Sequence, residues 1–358
     1  TADDALMQER AGEILTGIRI LLQLTGAQRC LIGLEDNKPQ ARVSMQTAID
    51  NMFDERIILV DVPTKYPSGA EKQLIYILTG TEIPSGTITI QSGILCHNVG
   101  TAAAITRAVL YGEALVSRIT TVTGAALARP GNLEVLIGTL VEDLLLACEL
   151  NTSVVSRLIN GGPLMGLHMP HARVPVLKIT NCIIATTQAE LPAPVPAQAC
   201  IRCGFCTEVC PVGLLPQQLY WFARSKELEK AAAHNLLDCI ECGACAYVCP
   251  SHIPLVQYYR AAKAEWRTDQ EKHRMAEHSK ERFDFHQARK AQEKALEDQR
   301  RAERAALAKQ KKSPTDTTAP GPAADDVIKA ALARVNAKKA AKQAEQAHAP
   351  PSKEGPEA

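Results

Sequence analysis

The chain holds 358 residues with a formal net charge of +1, which leaves room for two or three domains with their own cores and gives no global attraction for nucleic acid. Twelve cysteines stand out, yet a chain this long with no leader-like start is not the small secreted scaffold that disulfides staple. No run of about 18 apolar residues occurs, so no membrane-spanning helix is expected.

The opening "TADDALMQER" lacks an initiator Met, and the chain is expected to be a piece whose N-terminal part lies outside it. "ALMQERAGEILTGIRILLQLT" (5–25) has apolar residues at helical spacing, with Thr1 or Asp3 as cap. "RCLIGLED" predicts a short buried strand, "PQARVSMQTAIDNM" a second helix, and "RIILVDV" another strand. "KYPSGAEKQLIYILTG" then predicts a loop entering a helix. This alternation implies a parallel sheet covered by helices, a partial α/β domain over 1–113. Residues 114–187 hold β-branched runs broken by Gly and Pro, "SRITTVTG", "LEVLIGTL" and "VPVLKITNCIIA", which predict a small α+β module.

"TTQAELPAPVPAQA" (186–199) is a stiff Pro/Ala-rich linker. It leads to "CIRCGFCTEVCP" (200–211), which "CIECGACAYVCP" (239–250) repeats. Between them "LLPQQLYWFARSKELEKAAAHNLLD" carries a helical pattern, predicting one helix of about 18 residues and ~27 Å. "HIPLVQYYRAAKAEW" follows the second run as "LLPQQLYWFAR" follows the first, an internal duplication of cysteine loop and helix. From 264 to 312 the chain is rich in Ala, Glu, Lys, Arg and Gln and has no Gly or Pro. That predicts a long exposed helix, aided by pairs such as Glu297 with Arg301. The remainder is expected to be disordered, with a transient helix at "DDVIKAALARVNAKKAAK".

The cysteine spacing C-x2-C-x2-C-x3-C-P places three thiolates on one tight loop, able to grip three corners of a [4Fe–4S] cubane. The fourth cysteine reaches the other cluster, which explains why the motif occurs twice. Cys200, Cys203, Cys206 and Cys249 are thus expected to hold one centre, and Cys210, Cys239, Cys242 and Cys245 the second. Gly204 and Gly243 allow close backbone approach to the cores, and Pro211 and Pro250 turn the chain away. Paired zinc sites are the competing reading, but zinc would leave two surplus cysteines in each run. The long helical insert argues for an α-helical two-cluster ferredoxin domain over 188–263. Tyr220, Trp221 and Phe222 are read as packing around the clusters. Cys30, Cys96, Cys148 and Cys182, alone in apolar runs, are read as buried thiols, and His97, His168, His171, His234 and His252 lack ligand-like spacing.

No GxGxxG or Walker loop occurs. Asn98-Val99-Gly100-Thr101 opens a helix whose free N–H groups suit a phosphate, although a capped helix that binds nothing accounts for it at least as well. The segments "GLEDNKPQA", "VPTKYPSGAEKQLIYILTG", "HNVGTAAAI", "ARPGN", "NGGPLMG" and "VPVLKITNC", with both cysteine runs, resemble in order the C-subunit family of the Rnf (or Rsx) ion-translocating electron-transport complex. The resemblance covers 1 to about 260 and extends to a Lys/Ala-rich tail over 264–358. It implies a first domain similar to the flavin subunit of respiratory complex I, where NADH reduces FMN, and a β-grasp-like middle module. It implies Asn98, Gly100 and Thr101 near the flavin, with Gly69 and Glu71 on the nucleotide side. Ala70 departs from the family's second glycine there. Electrons would pass through FMN and two [4Fe–4S] clusters, between NADH and ferredoxin, with other subunits of the complex as partners. The expected location is the cytoplasmic face of the bacterial inner membrane, peripherally. A second reading, an assembly or regulatory adaptor without its own nicotinamide site, treats the clusters as folding staples.

Overall fold

The computed structural model describes residues 1–310, 329 and 331–337. The chain divides into two units, Thr1–Met275 and Ala276–Ala358.

The first unit opens with helices α1 (Ala2–Glu9) and α2 (Ala11–Thr25). The single helix expected over 5–25 is interrupted at Arg10, whose φ of −128° lies outside the helical region. Arg10 is drawn away to Glu134, 2.6 Å from its guanidinium. Thr1 is the N-cap residue, but its hydroxyl does not cap the helix; it bonds Asn132 and Thr121 instead. Strands β1 (Cys30–Glu35) and β2 (Ile57–Val62) pair in parallel, with α3 (Pro39–Met52) as crossover. Then come α4 (Glu71–Thr79), a 3-10 turn (Thr89–Ser92) and α5 (Val99–Tyr111). Ile14, Leu15, Leu34, Met45 and Ala102 join in one core. Helices α2 and α5 approach so closely that a Cβ added at Gly17 would fall 1.9 Å from the Ala102 carbonyl oxygen.

The middle module is a five-stranded sheet of β3 (Ser117–Thr123), β4 (Gly131–Leu136), β5 (Val155–Asn160), β6 (Leu167–Met169) and β7 (Cys182–Thr187). Its order is β4-β3-β7-β5-β6, with β3–β7 parallel and β3–β4, β5–β6 and β5–β7 antiparallel. Helix α6 (Val141–Ala147) contributes Leu144 and Leu145 to a second core with Val122, Val176 and Ile183. Val122, Val135 and Ile183, β-branched residues of three strands, supply much of the sheet's buried face.

The cysteine region is built from short helices: α7 (Phe205–Glu208), α8 (Pro216–Ser225), α9 (Leu228–Ala233) and α10 (Ala244–Tyr247), with a 3-10 turn at Leu236–Asp238. The continuous insert helix expected from the sequence is absent. Lys226 adopts a left-handed conformation (φ 60°) that ends α8, and Asn235 does the same (φ 61°) before the 3-10 turn. Three short pieces fold back where one rod would carry the chain outward. Helix α11 (Leu255–Gln310) begins here and packs its first turns, through Leu255, Val256, Tyr259 and Ala262, on Leu219 and Leu236.

Beyond Met275, α11 is exposed along its length, in line with its charged composition, and Arg289 pairs with Glu293 at i,i+4. Residues 331–337 are helical; the rest of the expected disordered tail lies outside the described residues.

Candidate metal centres and flavin-domain entry

All twelve cysteines are free thiols. Eight of them gather around two cavities, and the grouping crosses the sequence order. Cys200, Cys203, Cys206 and Cys249 line one space, with Arg202, Gln217, Tyr220 and Ile253. Cys210, Cys239, Cys242 and Cys245 line the other, with Leu219, Val256 and Tyr259. Each quartet therefore draws three thiols from one run and the fourth from its repeat.

Local backbone makes this possible. Gly204 (φ 89°) and Gly243 (φ 85°) stand in the left-handed region and start α7 and α10, a conformation glycine adopts without steric cost. The single turns of α7 and α10 carry Cys206 and Cys245 inward, and the chain then bends at Pro211 and Pro250. Arg202 (φ 58°) and Glu241 (φ 56°) occupy the same place in each run and share the same strained backbone.

The chemistry of both rings fits an iron–sulfur core. Thiols and mainly apolar side chains form their walls, with Arg202 and Gln217 also on the outer ring and Glu241 on the inner, and burial works against uncompensated thiolates. Desolvation pushes the Cys245 thiol up to about 12, and Cys239, Cys242, Cys210 and Cys206 push in the same direction. Cys206 and Cys239 are raised chiefly by desolvation too. A cationic core would remove that penalty, since metal binding takes up thiolates. The Leu214 N–H already points at the Cys210 sulfur, 3.4 Å away, the kind of outer bond that tunes a cluster. Among the described residues, no three Cys, His, Asp or Glu side chains converge on a single-ion position; the thiols ring a space.

The two cavities differ in surroundings. Cys242 and Cys245 are buried, whereas Cys203 is exposed. The inner quartet is covered from two sides. The Tyr66 hydroxyl donates to the Cys242 carbonyl at 2.6 Å, and Ser85 bonds Asp238 at 2.5 Å. From the middle module, Leu164 sits so close to Gly243 that an added Cβ would lie 2.9 Å from its carbonyl oxygen. Tyr66 belongs to the "YPSGAE" loop and Leu164 to "NGGPLMG", segments that the sequence singles out without any link to the cysteines. Tyr220 is buried against the outer cavity, as expected, but Trp221 is partly exposed and stacks by Tyr220 under Arg224. It is surface cover, not core, because α8 turns that face outward.

Gly69 lies in the loop before α4, and Glu71 is that helix's first residue. Glu71 accepts from the Thr89 hydroxyl at 2.8 Å. Asn98 caps α5 by accepting from the Gly100 N–H at 2.8 Å, and its amide donates to Asp3 at 2.7 Å. Thr101 follows on the first turn, exposed. The two helix entries are neighbours: after desolvation, Glu71 is the group that raises the Cys96 thiol. Two residues further along α4, Gln73 keeps a buried side-chain oxygen with no protein partner. Cys148 is buried, and Cys30, Cys96 and Cys182 are half-buried; desolvation lifts Cys30 to about 11.

The same regions match known protein families. Residues 1–107 match the Nuo51 FMN-binding domain family, and residues 199–253 match the 4Fe-4S dicluster domain family. The C subunit of the ion-translocating oxidoreductase complex of Pseudomonas aeruginosa is 52% identical over 85% of this chain and 38% of its own length. That of Yersinia pestis is 55% identical over 82% of this chain and 47% of its own. The chain thus spans less than half the length of these relatives. A solved NAD+-reducing [NiFe]-hydrogenase in its H2-reduced state covers 74% of this chain and 52% of its own at 17% identity and a TM-score of 0.49, too slight a likeness to assign anything here.

Proposed function

The chain belongs to the C-subunit family of ion-translocating oxidoreductase complexes, and from that premise we propose that it is a peripheral electron-transfer element. It carries electrons between NAD(H), FMN and two [4Fe–4S] clusters towards ferredoxin, within a membrane complex that couples the transfer to ion movement. The observation that carries this reading is the crossed pair of four-cysteine cavities, the inner one covered by the flavin-domain loop of Tyr66.

Each chemical part has residues to serve it. Cys200, Cys203, Cys206 and Cys249 would hold the outer cluster, and Cys210, Cys239, Cys242 and Cys245 the inner. Gly69, Glu71, Asn98, Gly100 and Thr101 would frame the flavin at the entries of α4 and α5. When bound, FMN accepts hydride as an electron pair and releases electrons one at a time. Tyr66 and Ser85 hold that domain against the inner cysteine loop, which keeps the transfer distance fixed. The middle sheet, with Leu164 on Gly243, serves as a β-grasp-like brace. Among the described residues no helix is long and apolar enough to cross a membrane, so the chain would sit against other subunits on the cytoplasmic face of the inner membrane, and those subunits would supply the ion path.

The complete gene product, purified anaerobically with FMN, tests this. Adding NADH should bleach cluster absorbance rapidly and produce a reduced-cluster EPR signal, and removing FMN should abolish both. Clusters that respond to dithionite yet stay oxidised with NADH in the FMN-loaded protein would sink the nicotinamide entry.

A further inference from the structure

The duplication gives two sites with equal ligands and unequal charge. A constant offset of 39 residues relates them, from Cys200 to Cys239. It superposes Arg202 on Glu241, Gly213 on His252, Tyr220 on Tyr259 and Arg224 on Lys263. The backbone keeps this register, with Arg202 and Glu241 both left-handed, and Gly213 and His252 likewise. The side chains do not. Lys263 is 4% exposed, and its ammonium donates to the Cys239 carbonyl at 2.5 Å and to Glu241 at 2.9 Å. Arg260 holds the other Glu241 oxygen at 2.9 Å. The counterpart of Lys263 in the first repeat, Arg224, instead lies over the rings of Tyr220 and Trp221, and the position of Glu241 is taken by Arg202, a cation that could not receive it.

A lysine is almost never buried without a partner and a reason. A hydrophobic residue would pack α11 at lower desolvation cost, so anchoring alone does not explain it. We propose that Lys263 sets the reduction potential of the inner cluster, raising it through a buried positive charge that Glu241 orients and partly offsets. The inference rests on the cluster reading of the two cavities. The redox step it acts on is simple: one electron arrives from a reduced flavin, or from dithionite in the test, and the four-thiolate centre becomes more negative by one charge. No proton moves at Lys263. A neighbouring cation in a low-dielectric setting favours the more negative state, so the inner site becomes the better acceptor on the side that faces the flavin domain.

Potentiometric EPR titration of the complete protein tests it, with iron and sulfide content measured on the same samples. Lys263→Met should lower the midpoint of one cluster, Glu241→Gln should raise the midpoint of that same cluster, and the other should not move in either variant. Lys263→Arg should return the midpoint towards the native value. If Lys263→Met loses iron, Glu241→Gln decides alone: an upward shift supports the proposal, and an unmoved midpoint overturns it. Fully loaded variants with unchanged midpoints, or with both clusters shifted equally, also overturn it. Native protein lacking two reducible clusters would instead reject the cluster reading itself, a separate result.

Discussion

Cys249 stands next to Pro250 in the second run, yet its thiol faces Cys200, Cys203 and Cys206 across the outer cavity. Cys249→Ser should therefore abolish the EPR signal of the outer cluster and leave the inner one reducible; loss of the inner signal alone would refute crossed ligation. The grouping of the eight thiols around two spaces is legible in the sequence because ligand spacing is a local property of the chain. The residues that cover and charge the inner site are not. Tyr66, Leu164 and Lys263 come from three distant segments, and only the tertiary fold brings them to Cys242, Gly243 and Cys239. Lys263 gives one faint signal, a basic residue within the apolar-spaced "HIPLVQYYRAAKAEW", whose facing partner no periodicity could name. Trp221 misleads for the opposite reason: an aromatic residue beside Tyr220 reads as core, and the turn of α8 leaves it at the surface.

Among the elements, the βαβ rhythm of β1, α3 and β2 follows from alternating apolar patterns, and the structure has the parallel pair. Breaks inside helical patterns carry no such signal. Neither Arg10 nor Lys226 is a helix breaker by composition; Arg10 leaves the helix to reach Glu134, and Lys226 takes the left-handed position beyond α8. Both are decided by what lies across the fold, which overrides propensity. The α2–α5 packing is equally silent, because a helical glycine reads as a weakness until its neighbour is known. Gly17→Ala would place a methyl within 1.9 Å of the Ala102 carbonyl oxygen and 3.0 Å of Thr106 Oγ1. Overpacking of this kind costs about 1–3 kcal/mol. A lowered urea midpoint with an unchanged m-value is the expected outcome, and a midpoint equal to the native one would show that the helices part without cost.

For the whole molecule, the compact unit ends at Met275, later than the boundary at 263 expected from composition. One turn beyond Ala262, the exposed Lys226 pairs with Glu265 at 3.3 Å. Removal of residues 276–358 should leave iron content, cluster potentials and NADH-driven bleaching as in the complete protein. A loss of iron on that deletion would mean the charged extension takes part in holding the centres. The general division into an α/β region, a small mixed module and a cysteine region is visible as changes of pattern along the chain, while the link of the first region to flavin comes from the family resemblance. How the regions touch is not, since each contact joins a loop whose own sequence carries no periodic signal.

The exchange of fourth cysteines also has a consequence for how the protein is made. On a ribosome, Cys200, Cys203 and Cys206 emerge well before Cys249, and the first site stays one donor short throughout the synthesis of α8, α9 and the second run. The second site closes only with Cys245, four residues earlier than the first. Neither ring can be finished until the second run has left the exit tunnel, by which time the flavin-type domain and the middle sheet are already outside and free to fold. Both sites therefore gain their last donor almost together. A nascent chain that stalls before that point offers the iron-delivery machinery no complete site to fill.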